Sequence, residues 1–157
     1  MIKLTKKQII DIAGDIEIGF NCYYHKRTGE ILKTLNTDRN LFYEDDLSDD
    51  VCNEIEENWG DYIMFTDMTT QDSFNLMIDF TDIVDDQIFK SKLLNILEKS
   101  KPFKNFKRFI DNSGEYRQIW FDFKSKSYIK LVKDQIYNYN LENDGANLIS
   151  KKDNIKL

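Results

Sequence analysis

Residues 20–35 read FNCYYHKRTGEILKTL, and this stretch decides which fold class the chain belongs to. Every second residue from Phe20 to Tyr24 is apolar or aromatic, and these side chains share one side of an extended chain. Gly29 lies in the polar turn that follows, where it can adopt the positive φ angle of a bulged hairpin. Residues 31–35 supply a return strand, so the sequence predicts an antiparallel β-hairpin.

A helix is predicted immediately before this hairpin. Thr5 and Gln8 have the spacing of a capping box, in which each side chain binds the backbone N–H of the other residue. Gly19 lies where a left-handed residue commonly ends a helix. Between them, apolar residues recur at helical spacing on one face: Ile9, Ile12, Ala13 and Ile16.

A loop, a short helix and a third strand are predicted after the hairpin. Residues 36–50 are polar and acidic, which indicates a loop. Ser48 can cap a helix that carries an apolar stripe and ends near Gly60. Residues 62–65 read YIMF, a short apolar run between turn-like neighbours, and they predict a buried strand.

The rest of the chain has mainly helical periodicity. Thr69 and Asp72 resemble a second capping box, and Pro102 suits the first turn of a later helix. Residues 112–114 predict a turn, and residues 115–139 predict one long final helix. The predicted fold class is therefore α+β, with an N-terminal helix, a small antiparallel β-hairpin or three-stranded sheet, and a C-terminal helical bundle.

The length and composition suit a single folded domain. The chain has 157 residues, of which 41% are hydrophobic and 13% aromatic, and this is enough to build a core and to exclude global disorder. We expect one domain over residues 1–139. The polar segment 140–157 lacks a helical or strand period, so we expect a mobile tail there.

The sequence also predicts a cytoplasmic protein without a metal or a cofactor. No apolar run has the length of a signal peptide or a membrane span, and the two cysteines, Cys22 and Cys52, are expected to stay as free thiols. Cys22 and His25 are three residues apart on a predicted strand, so they point to opposite faces and cannot share a zinc ion. No catalytic motif is present, and we therefore identify no catalytic residues.

One region of the sequence resembles a known family. The motifs are KPFKNFK at residues 101–107, GEYR at 114–117 and WFDF at 120–123, together with Leu4, Gln8-Ile9 and the hairpin over 23–31. They resemble Uncharacterised Protein Family 0158, small bacterial cytosolic proteins without an assigned activity, over residues 4–139. The resemblance implies a bacterial origin and one helical unit that contains Ser73-Phe74 and residues 102–123, but it assigns no functional residue.

The charge distribution is the strongest quantitative feature of the sequence. Residues 38–86 contain 16 acidic residues and one basic residue, whereas residues 87–133 contain 12 basic and four acidic residues. The net charge of the whole chain is −6. Either the two segments pair or are simply solvated, or one of them meets a charged partner.

The basic segment is our candidate for partner binding. Lys101, Lys104 and Arg108 recur at i, i+3 and i+7 and form a basic stripe on one predicted helix face. The candidate partner-binding residues are Lys101, Lys104, Arg108, Arg117, Trp120 and Lys124. Arg117 also has structural interpretations, because it can cap the turn at Asp111 or Asn112 or pair across helices, and Trp120 can belong to the core.

Three functions remain open at this stage. The first is a non-enzymatic protein-binding module that uses the basic segment. The second is a single-stranded nucleic-acid binder that uses the same residues, because basic side chains beside aromatic rings can contact phosphates and stack on bases. The third is a carboxylate-dependent enzyme with Mg²⁺ at Asp79, Asp82 and Asp86. The oligomeric state is not predicted.

Overall fold

A computed structural model describes residues 1–37 and 49–153, with side chains through residue 145. The described part is an α+β fold, as the sequence predicted. Its strands are β1 (Phe20–His25), β2 (Ile31–Leu35) and β3 (Tyr62–Phe65). Its α-helices are α1 (Lys6–Glu17), α2 (Asp49–Glu57), α3 (Thr70–Asp82), α4 (Gln87–Glu98), α5 (Pro102–Asp111) and α6 (Glu115–Asp153).

The three strands form one antiparallel sheet in the order β2-β1-β3. The hairpin and the third strand therefore confirm the sequence prediction. Cys22 lies opposite Lys33 in β2 and Phe65 in β3, so these side chains share one face of the sheet. Tyr23 belongs to the other face, where it packs in a cluster with Ile55 of α2.

Helix α1 begins and ends as its sequence predicts. The Gln8 backbone N–H donates to Thr5 Oγ1 at 3.1 Å, and the Thr5 N–H donates to Gln8 Oε1 at 2.9 Å, which completes the capping box. Gly19 has a φ angle of 105°, a conformation that favours glycine. The helix packs on β1 and buries Ile12, Ala13 and Ile16.

Two compact units make up the chain. The first consists of Met1–Asp67 and Tyr128–Leu157, and the second consists of Met68–Ser127. The second unit contains both Ser73-Phe74 and residues 102–123, which the family resemblance placed together in one helical unit. The expectation of one domain over residues 1–139 is not tested by this division and stays a prediction.

Helix α6 is longer than the sequence indicated. It continues from Glu115 to Asp153, whereas the apolar period that predicted it ends at Tyr139. The predicted end of this helix near residue 139 was wrong, because a formed helix extends through polar residues by adding one backbone hydrogen bond per residue. That this segment is mobile stays a prediction. No helix within the described ranges is both long and apolar enough to cross a membrane.

One part of the acidic loop lies outside the described residues. This part comprises residues 38–48 and includes Ser48, the predicted cap of α2. The helix that Ser48 was predicted to precede is present at Asp49–Glu57, and Asp49 and Asp50 lie in its first turn. Carboxylates in this position interact favourably with the positive end of the helix dipole.

The core of the second unit is built around the ring of Phe80. Phe80 is fully buried, and its ring centroid lies 6.3 Å from that of Phe106, 5.1 Å from Trp120 and 5.6 Å from Phe123. These rings join α3, α5 and the first part of α6. The same core contains a row of buried aliphatic residues: Met77, Val84, Leu93, Leu97 and Ile110.

In the first unit, two amide side chains of α6 bind the backbone of other segments. The Gln135 amide accepts from the Thr66 N–H at 3.1 Å and donates to the Thr66 carbonyl at 2.8 Å. Asn140 accepts from the Ile2 N–H at 2.9 Å and donates to the Ile2 carbonyl at 2.8 Å. Each amide therefore satisfies one backbone donor and one acceptor, as a neighbouring strand would.

Asn140→Asp is expected to lower the free energy of unfolding by about 1 to 2 kcal/mol, because a carboxylate cannot donate to the Ile2 carbonyl. Chemical denaturation at neutral pH measures the change. Asn138→Asp is the matched control, since Asn138 is exposed on the same helix, and its effect should stay within about 0.5 kcal/mol. Equal effects of the two substitutions would show that the paired amide contributes nothing.

Candidate partner-binding surface

Helix α5 separates its apolar and charged residues onto opposite sides. Pro102 occupies the first turn, where its missing N–H costs no helical hydrogen bond. Phe106 and Ile110 face the core and are 2% and 1% exposed. Because burial of these two side chains sets the rotation of the helix, the charged residues between them are directed to solvent.

Four exposed cations lie on α5 and at the residue directly before it. They are Lys101, Lys104, Lys107 and Arg108, which we call the basic face. Within the described ranges, no carboxylate lies at ion-pair distance from any of these four side chains. Lys101, Lys104 and Arg108 are all exposed, and their role in partner binding stays a prediction. Lys107 was missed, although its i+3 spacing from Lys104 already indicated the same face.

Arg117 has a structural role at the junction of α5 and α6. Its Nε lies 3.6 Å from Oδ1 of Asp111, and its guanidinium lies 4.7 Å from the centroid of the Phe121 ring. The structural interpretation of Arg117 as a partner of Asp111 is thus confirmed. Lys124 follows one turn after Phe121 on the same side of α6 and is partly buried. Whether Arg117 and Lys124 contribute to partner binding stays a prediction.

Trp120 contributes mainly to the core. Its ring centroid lies 5.1 Å from that of Phe80 and 4.9 Å from that of Phe106, both in edge-to-face geometry. The side chain is partly buried, so only a part of the indole is open to solvent. Its candidate role as an anchor for a partner remains a prediction.

The acidic residues of α3 are not arranged as a metal site. Among the residues that the structure describes, no group of three His, Cys, Asp or Glu side chains is placed to hold a metal ion. Asp86 instead caps α4, because its Oδ1 accepts from the N–H groups of Ile88 and Phe89 at 2.9 and 3.1 Å. The hypothesis of a Mg²⁺ site at Asp79, Asp82 and Asp86 therefore has no support in the described geometry.

His25 has a structural role in the hairpin turn. Its Nδ1 accepts from the backbone N–H groups of Arg27 and Thr28, both at 3.2 Å. Its ring also packs edge-to-face on Tyr62, with the centroids 5.0 Å apart. His25 and Tyr62 share the sheet face opposite to that of Cys22, so the structure separates the only histidine from this cysteine as predicted.

The two cysteines differ strongly in their surroundings. Cys22 is fully buried, whereas Cys52 is partly exposed. Burial, with a smaller contribution from the nearby Asp15 carboxylate, raises the pKa of the Cys22 thiol to about 12. A buried thiol with a raised pKa is expected to stay protonated at pH 8 and to react slowly as a nucleophile.

In a Cys52→Ser variant, Cys22 is expected to react with a thiol reagent at pH 8 at least about a hundredfold more slowly in the folded protein than in denaturant. A colorimetric disulfide reagent measures both rates. The complementary Cys22→Ser variant is the control, because Cys52 should react readily without denaturant. Fast labelling of the folded Cys52→Ser variant would contradict the burial of Cys22.

Comparison with known proteins identifies a family but no activity. The model of an uncharacterised protein family, UPF0158, matches residues 4–153. This match covers helix α1, the β1–β2 hairpin and the basic face. It also extends past Tyr139, where the resemblance in the sequence ended. No curated protein and no solved structure shows significant similarity to the chain. The chain therefore belongs to the uncharacterised protein family UPF0158.

Proposed function

We propose that this protein is a non-enzymatic protein-binding module and that its basic face docks an acidic segment of a partner protein. The observation that carries the proposal is the set of four exposed cations on α5 and at its N-cap, which have no carboxylate at ion-pair distance in the described residues. The proposal places the module in the bacterial cytoplasm, where the two free thiols, Cys22 and Cys52, would stay reduced.

The basic face is held rigidly enough to recognise a partner. The buried side chains of Phe106 and Ile110 anchor α5 to the core, and the ion pair of Arg117 with Asp111 lies at the last turn of α5. Side chains on a fixed helix lose less conformational freedom on binding than side chains on a mobile loop. Cations without an internal partner also keep their long-range attraction for an acidic surface, which accelerates encounter and favours partners of opposite charge.

A protein partner is better supported than a single-stranded nucleic acid. Binding of single strands uses aromatic rings that are open to stacking by bases. Phe106 is 2% exposed, and Trp120 packs on Phe80 and Phe106, so these two rings are largely used within the core. Phe103, which is 41% exposed, leaves one ring beside the basic face open to stacking. The exposed carboxylates Asp79 and Asp82 of the same unit would also repel a polyanion.

Reversal of charge on the basic face is expected to abolish partner capture. A Lys101→Glu, Lys104→Glu, Arg108→Glu variant should bind its partner at least about tenfold more weakly, because three attractions become repulsions. Pull-down from an extract of the source cells, followed by identification of the retained proteins, measures the loss.

The control carries the same change in net charge on the first unit. It is Lys3→Glu, Lys6→Glu, Arg27→Glu, whose three positions are exposed and lie outside the basic face. Proteins that are retained by the wild type and this control but not by the basic-face variant are the expected result. An identical set of proteins on all three baits would overturn the proposal.

A second measurement separates protein binding from nucleic-acid binding. Filter binding with single-stranded DNA at low and high salt is expected to show no strong, salt-dependent affinity. Phosphate contacts by the basic face would produce a steep decrease of affinity with salt. Such a decrease, if reduced by the Lys101→Glu, Lys104→Glu, Arg108→Glu substitutions, would replace the proposal with the nucleic-acid interpretation.

A further inference from the structure

The second unit carries an acidic surface that is complementary to its own basic face. Between Met68 and Phe89 the chain contains five aspartates and no basic residue. Three of these, Asp72, Asp79 and Asp82, lie on the solvent side of α3 and are exposed. We call them the acidic face; Asp86 is not included, because its carboxylate caps α4.

The acidic face and the basic face do not neutralise each other within one molecule. In the described parts of the chain, no ion pair joins Asp72, Asp79 or Asp82 to a cation. The basic face likewise has no ion pair there. One unit therefore presents two unpaired surfaces of opposite charge.

The two faces lie on neighbouring helices and have similar lengths. The ring centroids of Phe74 and Phe103 are 6.3 Å apart, as are those of Phe80 and Phe106, so aromatic rings of α3 and α5 contact each other. At about 1.5 Å per residue, the acidic face extends for about 15 Å and the basic face for about 10 Å. A unit that carries both faces can be complementary to a second copy of itself.

We propose that the acidic face of one molecule docks on the basic face of a second copy, and that this contact is reciprocal. The inference rests on the proposed function, since it names the partner of the basic face. Charge complementarity supports a second copy, because every molecule brings both faces at the same concentration. Ile78 beside the acidic face and Phe103 beside the basic face are 37% and 41% exposed and add apolar area to the contact.

The strength of this association should depend strongly on salt. Each pair is exposed, so it contributes little alone, and the net charge of −6 on each copy opposes approach. Several of these ion pairs must therefore form at the same time, together with the apolar contacts, for the dimer to be stable. Sedimentation velocity over a range of protein concentrations is expected to show a dimer that dissociates when salt rises from about 0.1 M to about 1 M, where the screening length falls to about 3 Å.

Matched charge reversals test which surfaces form the contact. Lys104→Glu, Arg108→Glu and, separately, Asp79→Lys, Asp82→Lys should each raise the dimer dissociation constant at least about tenfold. An equimolar mixture of the two variants should form a heterodimer, because the unchanged acidic face of the first variant still attracts the unchanged basic face of the second, whereas neither variant keeps this attraction with its own copy. Lys3→Glu, Lys6→Glu is the control for net charge and should still dimerise.

The outcomes separate this inference from the proposed function. A wild type that stays monomeric at every concentration overturns the inference, while the pull-down still decides the proposed function. A dimer that both reversals leave intact forms through another surface and overturns the inference, and the pull-down again decides the proposed function. If a reversed variant does not fold, as judged by circular dichroism, the salt dependence of the wild-type dimer decides: a dimer insensitive to salt overturns the inference.

Discussion

Burial of the Phe80 ring against Phe106 and Trp120 is the interaction on which the second unit depends. Complete burial of one such side chain contributes about 1.5 to 3 kcal/mol, whereas an exposed ion pair contributes about 1 kcal/mol or less. The apolar side of each helix therefore decides how the helix is rotated. The charged residues of α5 have solvent-facing positions as a consequence of this packing, and their charges are not needed to hold the unit together.

Because buried apolar side chains hold the unit together and the charges lie at its surface, a strongly polarised charge pattern is compatible with a stable fold. Opposite charges that paired within the molecule would add little stability and would no longer attract a partner. Lys104 and Arg108 instead remain exposed on one helix, and Asp79 and Asp82 remain exposed on another. The molecule consequently has surfaces suited to weak, charge-selective contacts.

Local sequence signals predicted most of the elements because their causes are local. The capping box of Thr5 and Gln8, the turn glycine Gly29 and the helix-starting Pro102 each act within a few residues, and the structure confirms all three. The end of α6 was not predicted, since extension of a formed helix needs no apolar period. The pairing of Gln135 with Thr66 was also not predicted, because it joins residues 69 positions apart.

The sequence by itself determined the α+β class, the order of the elements and the row of cations on α5, because period and charge are properties of neighbouring residues. Only the tertiary structure decided which aromatic rings are used within the core, that Arg117 pairs with Asp111, and that the acidic carboxylates do not form a metal site in the described residues. These outcomes depend on which helices pack together. Packing brings distant residues into contact, and no pattern along one segment records that contact.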